Sequence, residues 1–141
     1  MSYEAWEMSV PEHIRTDPLW GLRVYRAAMY AAEVGRRDSA WLARKQGFEE
    51  LAQQLRRSTS SIPANMAEGY SRNGKRDRNR FYEYALGSAR ESRTWYYQAR
   101  DVLGPNATHS RIALHTTIAR ILTVLVRRDR EAAVPIIDSE P

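Results

Sequence analysis

The stretch FEELAQQLRRSTSSIPANMAEG, residues 48–69, decides the fold class. Phe48, Leu51, Leu55, Ile62 and Met66 recur at spacings of three, four or their sum, so a helix gathers all five on one face. Pro63 interrupts this run, and inside an unprepared helix a proline costs about 3 kcal/mol through a lost hydrogen bond and a carbonyl clash. A kink between Thr59 and Pro63 is therefore expected. Gly69 can take the left-handed conformation that ends helices, and Asn73-Gly74 reads as the following turn.

Outward from this segment the helical period persists. Upstream, Asp17-Pro18 is a helix start, because aspartate accepts from unpaired first-turn N–H groups and proline at the first position sacrifices no bond. Trp20, Val24, Ala27, Ala31 and Val34 form the stripe that follows, with Gly35 near its end and Asp38-Ser39 as a turn. Downstream, a third helix is expected from Asp77 to Leu103, striped by Phe81, Tyr84, Ala85, Ser88, Ser92, Trp95, Ala99 and Val102, with Gly104-Pro105 as its stop. A fourth helix, capped by Asn106 or Thr108, carries two apolar stripes: Ile112, His115, Ala119, Leu122 and Val126, and beside it Leu114, Ile118, Ile121 and Leu125. One stripe serves the core and the other needs a partner.

No segment alternates with period two, so no sheet is assigned. The fold class is all-α: an up-and-down antiparallel four-helix bundle over residues 17–130, preceded by a flexible N-terminal arm, 1–16, and followed by a mobile C-terminal tail, 131–141. A chain of 141 residues with 43% apolar and 28% charged side chains is one ordinary domain able to bury a core. The N-terminus lacks a secretory pattern, and the most apolar stretch, Ile118 to Val126, is far shorter than the roughly 20 residues that span a bilayer. A cytoplasmic, membrane-free protein is expected.

Cysteine is absent, which excludes disulfides, thiolate metal sites and thiol catalysis. His13, His109 and His115 lack metal-ligand spacing, no Gly-rich phosphate loop occurs, and Ser58, Ser60 and Ser61 lack a nucleophile elbow. The expectation is a protein without catalytic residues, metal or cofactor. The formal charge is +5, almost all of it from arginine, since Lys45 and Lys75 are the only lysines. Arginine suits phosphate, carboxylate and aromatic partners, although a GC-rich genome enriches it without any functional cause.

Two sets of residues stand out. Arg57, Asn65, Glu68, Ser88 and Glu91 fall where helices two and three face one another, and are expected to form a hydrogen-bonded polar layer, since unpartnered buried polar groups are costly. Arg72, Lys75, Arg76, Arg78 and Arg80 crowd one turn opposed only by Asp77, a candidate phosphate-binding knot. Helix three adds Arg93 and Arg100, interleaved with Tyr82 and Tyr96, a mixture fit for base stacking or for a protein interface. The opposing reading of the basic turn and the helix-three residues is a solvated basic turn with aromatics buried between subunits; that of the polar layer is a binding or catalytic role.

The block Gln54 to Arg57, Ser61 to Pro63, Asn65 to Gly69, then Phe81, Gly87-Ser88, Glu91 and Thr94, resembles the bacterial four-helix proteins encoded in intervening sequences of large-subunit ribosomal RNA genes. Their relatives include the accessory variability proteins of diversity-generating retroelements. Ser58, Met66 and Tyr84 replace the usual alanine, isoleucine and leucine, and the usual proline before helix two is missing. The resemblance implies a ring-like homopentamer with a positively charged surface and no known catalytic residues. It also implies RNA or DNA, or a reverse transcriptase, as partners of some members. From the residues and the resemblance together, a non-enzymatic oligomer that binds nucleic acid or a nucleic-acid-handling protein is expected; a scaffold without nucleic-acid binding is the alternative.

Overall fold

In the computed structural model, which describes the backbone of residues 1–133 and the side chains of residues 1–128, the chain is all-helical, with no strand among the described residues. Two short helices, α1 (Tyr3–Ser9) and α2 (Glu12–Arg15), and a 3-10 turn, Pro18–Gly21, lead into α3 (Arg23–Ala43). Then come α4 (Glu49–Tyr70), α5 (Lys75–Gln98), the single turn α6 (Arg100–Leu103) and α7 (Pro105–Ala133). The long helices pack α3 on α4, α4 on α5 and α5 on α7, with α7 returning to α3.

Small side chains set how closely these helices approach. Ala28 and Ala31 of α3 and Ala85 and Ala89 of α5 are fully buried among Ile62, Met66, Ile118 and Leu122. Gly35, read from the sequence as lying near a helix end, sits inside α3 for a packing reason: a Cβ there would lie 2.7 Å from Thr59 Cβ. Helix α4 runs unbroken through Pro63, and the Thr59 hydroxyl, one turn before it, donates to the carbonyl of Leu55 at 2.9 Å.

Four expectations need correction. Asp38-Ser39 is not a turn, because α3 continues to Ala43; Ser39 is buried and the Asp38 carboxylate is engaged by other helices rather than by its own backbone. Residues 1–16, expected to be an arm without regular structure, form α1 and α2 and bury Trp6 and Val10. Trp6 stacks at 6.0 Å from Trp20 and 5.3 Å from Tyr30, a tertiary anchor that periodicity within the segment does not reveal. Asp17 does cap, its carboxylate accepting from the Leu19 N–H at 2.9 Å, but only the 3-10 turn. Finally, α5 breaks at Ala99, and α7 begins at Pro105 directly after Gly104, whose φ of 85° only glycine adopts without strain.

The second stripe of the last helix is not left over for a partner. Ile118 is 0% exposed, and Leu114 and Leu125 pack against the same core as the N-terminal aromatics, so only Ile121 of that stripe faces solvent. Helix α7 passes the boundary at residue 130; of the expected tail, residues 134–141 lie outside the described residues. No described helix is long and apolar enough to cross a membrane.

Candidate nucleic-acid interface

The turn between α4 and α5 is short because Ser71 to Gly74 need only reverse the chain, and Gly69 lets the two helices meet there. A Cβ on Gly69 would lie 2.9 Å from the Tyr82 ring, which is buried against it. The turn holds the expected basic residues, all exposed except the partly covered Arg78. Several are already engaged. Arg72 reaches Glu68 at 3.3 Å, Arg80 reaches Asp77 at 3.3 Å, and both guanidinium groups share the Phe81 ring, at 4.9 and 5.1 Å from its centroid. Arg78 also has an interaction partner. Lys75 and Arg76 are the exposed cations of the turn that form no ion pair among the described residues.

Arg93 and Arg100 do not join this cluster. The 24 residues of α5 span roughly 36 Å at about 1.5 Å per residue, and Arg100 lies beyond the far end of that helix. There it rests on Tyr97, 4.2 Å from the ring centroid, and donates to the Tyr97 carbonyl at 3.0 Å. The aromatics expected between the arginines are corrected as well: Tyr82 is 4% exposed and Tyr96 is 0% exposed, so neither can stack on a base. The exposed tyrosines of α5 are Tyr84 and Tyr97.

Arg93 instead lines a groove of about 400 Å³ between α5 and α7, together with Arg90, Arg120, Thr116, Thr123 and Val124. One nitrogen of its guanidinium donates to Thr116 Oγ1 at 3.2 Å, which fixes the group over the seam. Arg90 and Arg120 were not singled out from the sequence. The available signal for Arg120 was a run without acids, since no Asp or Glu occurs in residues 102–128.

The expected polar layer exists with other members. Between α4 and α5, Ser92 Oγ donates to Ser58 Oγ at 2.8 Å and Ser61 Oγ bonds to Ser88 Oγ, so four serines span the seam. Of the residues expected there, only Ser88 takes part. Asn65 donates to the Ser61 carbonyl of its own helix at 2.9 Å, Glu68 pairs with Arg72, Glu91 accepts from Trp95 Nε1 at 3.2 Å, and Arg57 is exposed. Long charged side chains leave a tight seam that small hydroxyls can fill without losing hydration they cannot replace.

A second polar cluster ties three helices together. The Asp38 carboxylate of α3 accepts from Tyr96 Oη of α5 at 2.7 Å and from Arg111 of α7 at 2.9 and 3.2 Å, a bidentate pair. Burial, then the charge of Asp38, pushes the Tyr96 hydroxyl far above its ordinary value, so it stays a donor. His115 packs its ring 5.5 Å from Tyr96, and burial together with the positive charge of Arg93 pushes it down to about 4. It is neutral at pH 7. Among the described residues no group of His, Asp or Glu is placed to hold a metal ion.

Residues 22–123 match the model of a family described as 23S rRNA-intervening sequence protein. The fold is similar to the crystal structure of a protein of unknown function from the S23 ribosomal protein family of Bacteroides thetaiotaomicron. The TM-score is 0.70 and the identity 21%, over 74% of this chain and 98% of that one. No curated protein matches.

Proposed function

The chain belongs to the 23S rRNA-intervening sequence protein family, and from that premise we propose that it is a non-enzymatic, cytoplasmic four-helix bundle that binds nucleic acid through its arginine-rich surface. The observation carrying this reading is the α4–α5 turn, where Lys75 and Arg76 stand exposed without a carboxylate partner beside the stacked Arg72, Arg80 and Phe81. Cations so placed attract a phosphate backbone by displacing its condensed counterions. The serines between α4 and α5 and the Asp38 carboxylate are engaged in hydrogen bonds that join helices, which suits a binding role better than a reactive one.

Self-association into a pentamer belongs to the same reading through the resemblance of the block Gln54 to Glu91, as does a reverse transcriptase as an alternative partner of the basic surface. With most of the second stripe of α7 consumed inside the protomer, the apolar side chains exposed for self-contact include Tyr84 of α5, Trp41 of α3 and Val124 of α7. A protomer-sized mass by light scattering removes the oligomer.

The binding test is a salt series with fluorescent RNA and DNA. Affinity should fall steeply with salt, and Lys75→Gln with Arg76→Gln should lower the log–log slope by about 1.4 for a single strand, at roughly 0.7 per phosphate contact. No binding even at low salt overturns the proposal.

A further inference from the structure

Arg90 and Arg120 of the α5–α7 groove have no acidic side chain three or four residues away on their own helices. At the helical neighbours of Arg90 stand Leu86, Gly87, Arg93 and Thr94; at those of Arg120 stand Thr116, Thr117, Thr123 and Val124. None is acidic. Across the seam the situation is the same, because α7 contributes no Asp or Glu before Asp129. Arg93 is held by Thr116 rather than by a carboxylate, and its unneutralised charge is felt by His115 beneath it. Tyr97, 57% exposed, lies two helical turns beyond Arg90 on the same face of α5, about 10 Å along the axis at about 1.5 Å per residue. Arg127 extends the line on α7 by the same step from Arg120, toward the basic turn, since the two helices run antiparallel here: Arg93 meets Thr116 while Arg90 lines the groove with Ala119 and Arg120.

The geometry points to a single-stranded nucleic-acid track along the α5–α7 groove, with Arg90, Arg93 and Arg120 binding successive phosphates and Tyr97 stacking on a base. It rests on the nucleic-acid reading above but places a binding surface on residues separate from the turn. A free phosphate or a lipid headgroup would use the arginines alone, whereas an exposed ring in line with them serves an unpaired base. Duplex DNA keeps its bases stacked away from such a ring.

The test uses the full chain, a labelled single-stranded oligouridine RNA and a labelled DNA duplex, each over a salt series. Arg90→Gln with Arg120→Gln, at two exposed positions that make no side-chain bond among the described residues, should lower the single-strand salt slope by about 1.4. Tyr97→Ala should weaken single-strand binding roughly tenfold, the scale of one base–aromatic stack, and leave the duplex unchanged. An unchanged slope in the double variant, while the Lys75 and Arg76 variant loses affinity, overturns the track and leaves the turn as the site. Equal loss for strand and duplex in Tyr97→Ala overturns the stacking. Wild-type protein that binds neither probe overturns the track and the nucleic-acid reading together.

Discussion

The basic turn and the α5–α7 groove carry arginine in similar density and differ in who neutralises it. In the turn, Glu68 and Asp77 stand one helical turn from Arg72 and Arg80 and pair with them. In the groove no carboxylate stands three or four residues from Arg90, Arg93 or Arg120, and α7 offers none across the seam before Asp129. What a surface offers to an anion thus depends on the spacing of acids around its arginines more than on how many arginines it has. The turn advertises itself in sequence as a run; the groove is assembled from residues some thirty positions apart and shows only after packing.

The largest effect expected from this contrast is on acid stability, because only the groove lies over a buried histidine. His115 is held near 4 in the folded chain against about 6.5 when unfolded, so below that higher value the unfolded chain binds the extra proton. Stability from this source is fully present above pH 6.5 and declines as the pH falls toward 4, by about 3 kcal/mol in all. In urea titrations His115→Gln should lose that much less than wild type between pH 7 and pH 4. Identical losses would mean that His115 does not titrate on unfolding.

Next in size, Gly69→Ala should injure the turn and spare the groove. Its methyl group would meet the Tyr82 ring at 2.9 Å and the Arg78 carbonyl at 3.0 Å, an overpacking that costs about 2 kcal/mol. A melting curve unchanged from wild type would show that the α4–α5 junction yields freely. The smallest effect tests the contrast itself. Glu68→Gln with Asp77→Asn should make the turn resemble the groove, raising RNA affinity roughly threefold at low salt and not at all at high salt, as screened surface pairs do. Unchanged affinity at low salt would mean that these pairs do not limit the turn.

How much of this was legible beforehand varies along the chain. Val24, Ala31, Leu55, Ile62, Met66, Ala85, Ser92, Ala99, His115, Ala119, Leu122 and Val126 were placed on inner stripes by spacing alone, and all are buried. Helical periodicity is a local property and survives packing. Asp38-Ser39 misled because their turn preference reflects bonds to nearby backbone, whereas here the carboxylate serves Tyr96 and Arg111. The N-terminal segment misled for a related reason: Trp6 on α1 and Val10 just after it are two anchors, too few to show a period. Among the site residues, the turn was read directly because its members are adjacent. Arg90 and Arg120 were not, since their common feature is a neighbour that is missing. The polar layer was located at the right seam and given side chains too large for it.

Asp38 also bears on how the protein is made. Its partners follow it by 58 and 73 residues, so a chain emerging from the ribosome completes α3 long before Arg111 exists. Until then the carboxylate lacks its Arg111 partner, while Gly35 and Leu42 on the same face of α3 have α4 to pack against. The arrival of α7 therefore completes a tie among three helices, and a product truncated ahead of Arg111 lacks the ion pair that joins α3 to α7.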